Sequence, residues 1–180
     1  LDQNLKYGLF PKPHFLSKNT KIGYKLDNIA ESNKTKIFIS ANNFFLLDKM
    51  MIKNLVFYKT DFKIESSNFK FFIDLLDNKK SNQKIDFLNS KFFYLDKNDD
   101  VVFLTTIKKL NYLYQENFIT KLSSKLNIYN FATSLKIDHN ILDKNFFIEA
   151  KSLPLRLSIK NNLNYNNNKF EGELNLSIIN

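Results

Sequence analysis

Apolar side chains return at every second residue along most of this chain. Near its end, Leu153, Leu155, Leu157 and Ile159 fall on one side of an extended backbone, with Pro154, Arg156, Ser158 and Lys160 on the other. The pattern resumes with Phe170, Gly172, Leu174, Leu176 and Ile178, which alternate with Glu171, Glu173, Asn175 and Ser177. A period of two marks a strand, because successive side chains point to opposite faces. Asn166, Asn167 and Asn168 suit a turn, since Asn tolerates left-handed backbone angles. Residues 151–180 therefore predict a long hairpin with one apolar and one wet face. Pro154 cannot donate to a ladder and belongs at a strand start, an edge or a bulge.

The middle of the chain reads in the same way. Ile85, Phe87 and Phe93 are expected on one face of a strand, with Asp86, Leu88, Ser90 and Phe92 on the other. Residues 96–100 are a loop by composition. Residues 101–110 return as a strand with Val102 and Leu104 on one side and Val101, Phe103 and Ile107 on the other, so the outer face is expected to be covered. Leu122, Ser124, Leu126 and Ile128 predict a further strand, Leu135 and Ile137 followed by Phe146 and Ile148 predict a further pair of strands around residues 139–145, and residues 51–65 form an earlier strand. One segment has the helical period instead: Phe69, Phe72, Ile73 and Leu76 make a single stripe. Ser66, Ser67 and Asn68 before it are good capping residues. This helix is expected to cover the outer apolar residues of the strands bearing Phe92 and Phe103, and residues 43–48 to hold a second short helix or loop.

The sum is eight to ten strands joined by short loops, which are expected to be antiparallel neighbours. The fold class is mainly β with minor α. Residues 1–180 read as a single β-rich domain: a curved, mostly antiparallel amphipathic sheet forming an open groove or half-barrel, with one or two short helices packed on it. An ordinary sandwich core fits the same alternation, and an open groove differs from it by leaving a continuous exposed apolar strip.

Composition mainly removes possibilities. The chain has 180 residues, 43% of them hydrophobic, which is enough for a sizeable core. It has no Cys, three Gly and two His, so thiolate chemistry, a glycine-rich phosphate loop and a multi-histidine metal centre are excluded. The aromatic side chains fall among Leu and Ile within strands and read as core rather than as stacking platforms. The net charge of +9 is almost all lysine, with Arg156 the single arginine. Lys, Asn, Ile and Phe are what an AT-rich coding sequence supplies. Lysines such as Lys12, Lys36, Lys70, Lys91, Lys125 and Lys169 are spread along the sequence. A nucleic-acid site would use arginine forks, so no nucleic-acid partner is expected. Attraction to an anionic membrane surface needs only charge. Asp96, Asp99 and Asp100 lack the glycine and terminal glutamate of the twelve-residue calcium loop and read as a solvated turn. His14 and His139 read as surface histidines, and Ser66, Ser67, Ser123 and Ser124 have no nucleophile-elbow context. The expectation is a non-enzymatic chain without a cofactor.

Several stretches carry a resemblance. Residues 7–14, YGLFPKPH, are similar to the segment that follows the inner-membrane anchor in AsmA-like envelope proteins. Residues 64–76 resemble that family's short helix after an early strand. Residues 85–96 (IDFLNSKFFYLD), 102–104 (VFL), 107–109 (IKK) and 128–130 (IYN) resemble its strand series, and 170–174 (FEGEL) its amphipathic strands. The resemblance implies a periplasmic segment of an inner-membrane protein related to bridge-like lipid-transfer proteins. Its role would lie in phospholipid transport and outer-membrane biogenesis, and it brings no catalytic residues. The chain begins at Leu1 rather than Met and has no run of about 18 apolar residues. It therefore reads as an N-proximal portion of a longer protein, whose membrane anchor is absent from this segment. The partners implied are phospholipid acyl chains, the membrane through that anchor, and other envelope proteins. Leu153, Leu155, Leu157, Ile159, Phe170, Leu174, Leu176 and Ile178 are the expected groove lining. Two other readings stand beside this one: a β-sandwich scaffold that binds an envelope protein through its sheet edges, and a lysine-driven nucleic-acid binder.

Overall fold

The computed structural model describes residues 5–24, 27–40, 51–68, 70–76, 84–114, 118–166 and 169–179. Eleven strands form one sheet, in chain order from edge to edge. They are β1 (Lys6–Gly8), β2 (His14–Tyr24), β3 (Asp27–Ile39), β4 (Ile52–Ile64), β5 (Lys84–Leu95), β6 (Val101–Tyr114), β7 (Ile119–Ile128), β8 (Phe131–Asn140), β9 (Asn145–Ser152), β10 (Leu157–Asn166) and β11 (Lys169–Ile178). The helix α1 (Lys70–Leu76) lies between β4 and β5. Every neighbouring pair is antiparallel except β4 and β5, which are parallel. The expectation of antiparallel neighbours concerns strands joined by short loops; β4 and β5 are not so joined, since a parallel pair needs a crossover connection and α1 sits in it.

Register carries one apolar face across the sheet, since residues directly opposite each other share a face. Tyr112 opposes Leu122, which opposes Ile137, which opposes Ile148. Further along, Ile159 opposes Leu176 and Leu157 opposes Ile178.

The face is kept continuous through a break in the alternation. Asn19, Lys59 and Asn89 sit in mid-strand with φ of 52°, 51° and 52°. The pairs on either side put Asn19, Asn33, Lys59, Asn89 and Lys108 in one line across β2–β6. This line is a crease, and it turns the alternation over. Phe57 and Phe62 are five positions apart, yet both rings rest on Phe87, at 4.9 Å (stacked) and 5.0 Å (edge-on). For the same reason Phe92, and not Phe93, packs with the Phe87 cluster. A row of hydroxyl residues runs beside the crease, with Thr20 opposite Ser32 and Ser32 opposite Thr60; it goes on to Ser90 and ends there, since Ile107 stands opposite Ser90 on β6. Ser32 Oγ lies 3.1 Å from the Lys34 carbonyl and 3.2 Å from that of Tyr58, so it donates where the ladder is interrupted.

The sheet curls around α1. Tyr24 on β2 donates from its hydroxyl to the Asp74 carboxylate and sets its ring edge-on to Phe71. From the other side, Tyr112 on β6 donates to the Leu75 carbonyl and Thr120 on β7 to the Leu76 carbonyl, both at 2.8 Å. These two bonds satisfy carbonyls that the end of a helix leaves unpaired. β2 and β7 are five strand spacings apart, about 24 Å in a flat sheet. A helix roughly 10 Å across reaches both only if the sheet bends around it.

Ile73 and Leu76 are buried as the predicted stripe requires. Phe69, the Phe72 side chain and residues 43–48 lie outside the described residues. The helix covers the face of Ile85, Leu110 and Tyr112 rather than the opposite one, where Val102 and Leu104 remain exposed.

The predicted start of the last hairpin is corrected. Lys151 and Ser152 end β9, and Leu153–Arg156 form a turn closed by Arg156 N–H donating to the Leu153 carbonyl at 3.0 Å. Pro154 occupies the second turn position, where its fixed φ is favourable. The apolar alternation from Leu153 to Leu157 therefore spans a turn and not a strand.

Candidate functional site

The apolar face is not filled throughout. Between α1 and the strands β5–β8 lies a groove of about 270 Å³. Leu75 and Leu76 of α1 form one wall, and Phe92, Ile107, Leu126 and Ile137 are among the residues lining the sheet side. A second, more open depression of about 530 Å³ is bounded by Ser66, Phe92, Tyr94 and Phe103. Phe92 and Phe103 belong to both, so the groove continues toward the end of the sheet where β5 stops and β6 starts.

Side-chain size explains the depth. Thr105 and Ser124 stand on the lining among Phe, Leu and Ile. Both are buried, and both hydroxyls are turned into the backbone: Thr105 Oγ1 donates to the Asn127 carbonyl at 2.8 Å, and Ser124 Oγ to the Lys109 carbonyl at 3.1 Å. The small residues thus open space without leaving a polar group to solvate it. Among the described residues no ionisable side chain lines this groove. At its helix end, burial pushes the Tyr112 hydroxyl above its ordinary pKa. The Tyr24 hydroxyl is also raised, first because it is hydrogen-bonded to Asp74 and then by burial.

The residues predicted to line a groove divide into two groups. Leu157, Ile159, Phe170, Leu174, Leu176 and Ile178 do share a face on β10 and β11, through the pairs Leu157–Ile178, Ile159–Leu176 and Tyr165–Phe170. They extend the apolar face to the sheet edge, where Leu174, Leu176 and Ile178 are 69%, 65% and 76% exposed. Leu153 and Leu155 stand apart from them in the β9–β10 turn. None of the eight lines the groove under α1. The alternation at Leu122–Ile128 and Leu135–Ile137 marks the strands that do. Which part of the face the helix covers leaves no trace in that pattern.

The histidines correct a second expectation. His14 is buried, with Nδ1 2.8 Å from the Lys12 carbonyl. His139 is 1% exposed, stacked on Phe146 at 3.8 Å, with Nδ1 3.1 Å from the Asn145 carbonyl. It follows Leu135 and Ile137 at period two and so falls on the apolar face. The Asp96 loop is a turn held by its own side chain, since Asp96 Oδ1 accepts from the backbone N–H of Asn98 (2.8 Å) and Asp100 (3.0 Å). Among the described residues no group of three His, Asp or Glu is placed to hold a metal ion. No helix among them is long and apolar enough to cross a membrane.

No protein-family model matches the chain, and no curated protein matches it.

Proposed function

We propose that this chain shields phospholipid acyl chains from water along the apolar face of its sheet, as a non-enzymatic, AsmA-like envelope protein. On this reading the segment stands in the periplasm, belongs to a protein of the inner membrane and contributes to lipid movement toward the outer membrane. The observation that carries the proposal is the groove of about 270 Å³ under α1, lined mainly by Leu, Ile and Phe, on the same sheet face as the exposed Phe170, Leu174, Leu176 and Ile178 of β11. The chemistry asked of it is modest. Each acyl methylene removed from water gains about 0.8 kcal/mol, so ten of them gain about 8 kcal/mol without any directed bond. A lining whose hydroxyls are all turned into the backbone suits a hydrocarbon guest. It offers no partner to a polar one.

Native mass spectrometry of the purified chain tests this. Phospholipid should be found bound, and should be lost in Leu126→Glu while circular dichroism shows the sheet intact. A chain that carries no lipid, together with a Leu126→Glu variant that simply unfolds, would make the groove an ordinary core and sink the proposal.

A further inference from the structure

The lysines are scattered in sequence, but the fold gathers them. On the polar face, one transverse row of directly opposed residues runs beside the crease. It contains Lys18 opposite Lys34 on β2–β3, and Lys109 opposite Lys125 on β6–β7. Ser134 follows on β8 and Lys151 on β9. The next row on the same face, two residues along each strand, adds Lys36, Lys136 and Lys160. Two carboxylates share this second row, and both are engaged. Asp86 accepts from Asn54 and Asn111 and lies 3.3 Å from Lys84. Glu149 lies 2.8 Å from Lys151 and 3.8 Å from Lys160. Lys18, Lys109, Lys125 and Lys136 have no carboxylate within 4.0 Å among the described residues.

Like charges directly opposite each other in a sheet are unfavourable. The fold accepts two such lysine pairs in one row, with Tyr58 and Leu88 between them, an arrangement that an external anion relieves. Around the Lys109–Lys125 pair is a shallow cleft of about 230 Å³, to which Asn111, Ser123, Ser134 and Lys136 also contribute. Three lysines, two exposed serines and an asparagine thus border one small volume.

We propose that this lysine band is a docking surface for an anionic lipid bilayer, with the cleft between Lys109, Lys125 and Lys136 taking headgroup phosphates. Three features favour a bilayer over a nucleic acid. The charges are lysines, which act as points of charge and not as forks. They spread over two rows of a broad sheet face. Tyr58 is the aromatic of these rows, and Lys34 already lies over its ring at 5.6 Å. Beside Lys108, Lys125 and Lys151, Leu153 is 74% exposed, which gives the band an apolar side chain to enter the interface. The acyl groove lies on the opposite face and stays open while the band is seated. The inference does not rest on that groove.

Vesicle sedimentation tests the band. The chain should bind phosphatidylcholine vesicles that contain phosphatidylglycerol and ignore vesicles of phosphatidylcholine alone. Binding should weaken as salt rises past about 0.15 M. The pair Lys109→Glu with Lys125→Glu should lose at least tenfold in affinity. The pair Lys97→Glu with Lys169→Glu makes the same charge change outside the band and should lose little. Lys109→Gln with Lys125→Gln serves if the charge reversals disturb the sheet. Equal losses from both lysine pairs, equal binding to both vesicles, or none to either, would overturn the proposal. So would a DNA duplex that binds more tightly through the same lysines.

Discussion

The backbone N–H of Thr60 donates to the hydroxyl of Ser90 at 3.1 Å, across the parallel pair β4–β5. Both residues are buried, at 0% and 2% exposure, and they stand one position past the left-handed residues Lys59 and Asn89. The crease interrupts the ladder, and a side chain supplies the acceptor. Ser90→Ala would therefore leave a buried N–H without its partner, at a cost of about 1–3 kcal/mol. Urea unfolding should show that loss, whereas Ser123→Ala on the exposed face should stay within about 0.5 kcal/mol of the parent chain. Equal stabilities for the two variants would show that the hydroxyl row does not hold the crease.

Thr120 fastens the end of α1, because its hydroxyl donates to the Leu76 carbonyl from a fully buried position. Thr120→Val keeps the shape and removes the donor. It should cost about 1–2 kcal/mol. The amides of residues 70–76 should exchange with solvent faster than those of β8 and β9. Unchanged protection of the helix would mean that apolar contact alone keeps it seated.

Glu149 gives the fold a dependence on acid. Its carboxyl is held below the ordinary value of 4.5, chiefly by its hydrogen bond to Lys151 and further by the charges of Lys151, Lys160 and Lys136, with burial opposing. A carboxyl whose folded pKa is depressed adds stability above its unfolded value and loses it as pH falls through the folded value. Melting temperature should therefore drop more steeply below about pH 4.5 in the parent chain than in Glu149→Gln. Parallel curves for the two proteins would remove this pair from the account.

Gly172 lies opposite Leu163 on the edge hairpin. A Cβ built there would come within 2.0 Å of the Asn162 carbonyl oxygen, which is backbone and cannot swing aside. Gly172→Ala should push β11 away from β10. Hydrogen exchange would show it as lost protection in both strands, with β5–β7 unaffected. Retained protection would mean that the hairpin adjusts locally.

The strands were legible because the polar face is wet nearly everywhere, so period two survives in the sequence. The alternation at 122–128 and the pair of strands around residues 139–145 follow from residue types alone. The helix was legible from Ile73 and Leu76, and its cap region from Asn68, whose side chain accepts from the Glu65 N–H at 2.9 Å. Four things were hidden. The crease is marked by one left-handed backbone angle in each of β2, β4 and β5, at Asn and Lys residues of a kind common in loops, and it moved Phe92 to the face assigned to Phe93. The turn at Leu153–Arg156 was masked because its apolar residues continue the rhythm of the strand after it. The groove depends on where α1 lands, and the lysine band on register between distant strands. Neither of these is a property of a single segment.

The strand order itself has a kinetic consequence. Since sheet order repeats chain order, nine of the ten pairings join strands adjacent in sequence through an antiparallel contact, and only β4–β5 waits for a crossover. Loop-closure entropy is low at each antiparallel step, so contact order stays small for so large a sheet. Each strand needs chiefly its predecessor as a template. Such a sheet can grow strand by strand from a nucleus around α1, with stability set by nearest neighbours in the manner of a repeat array.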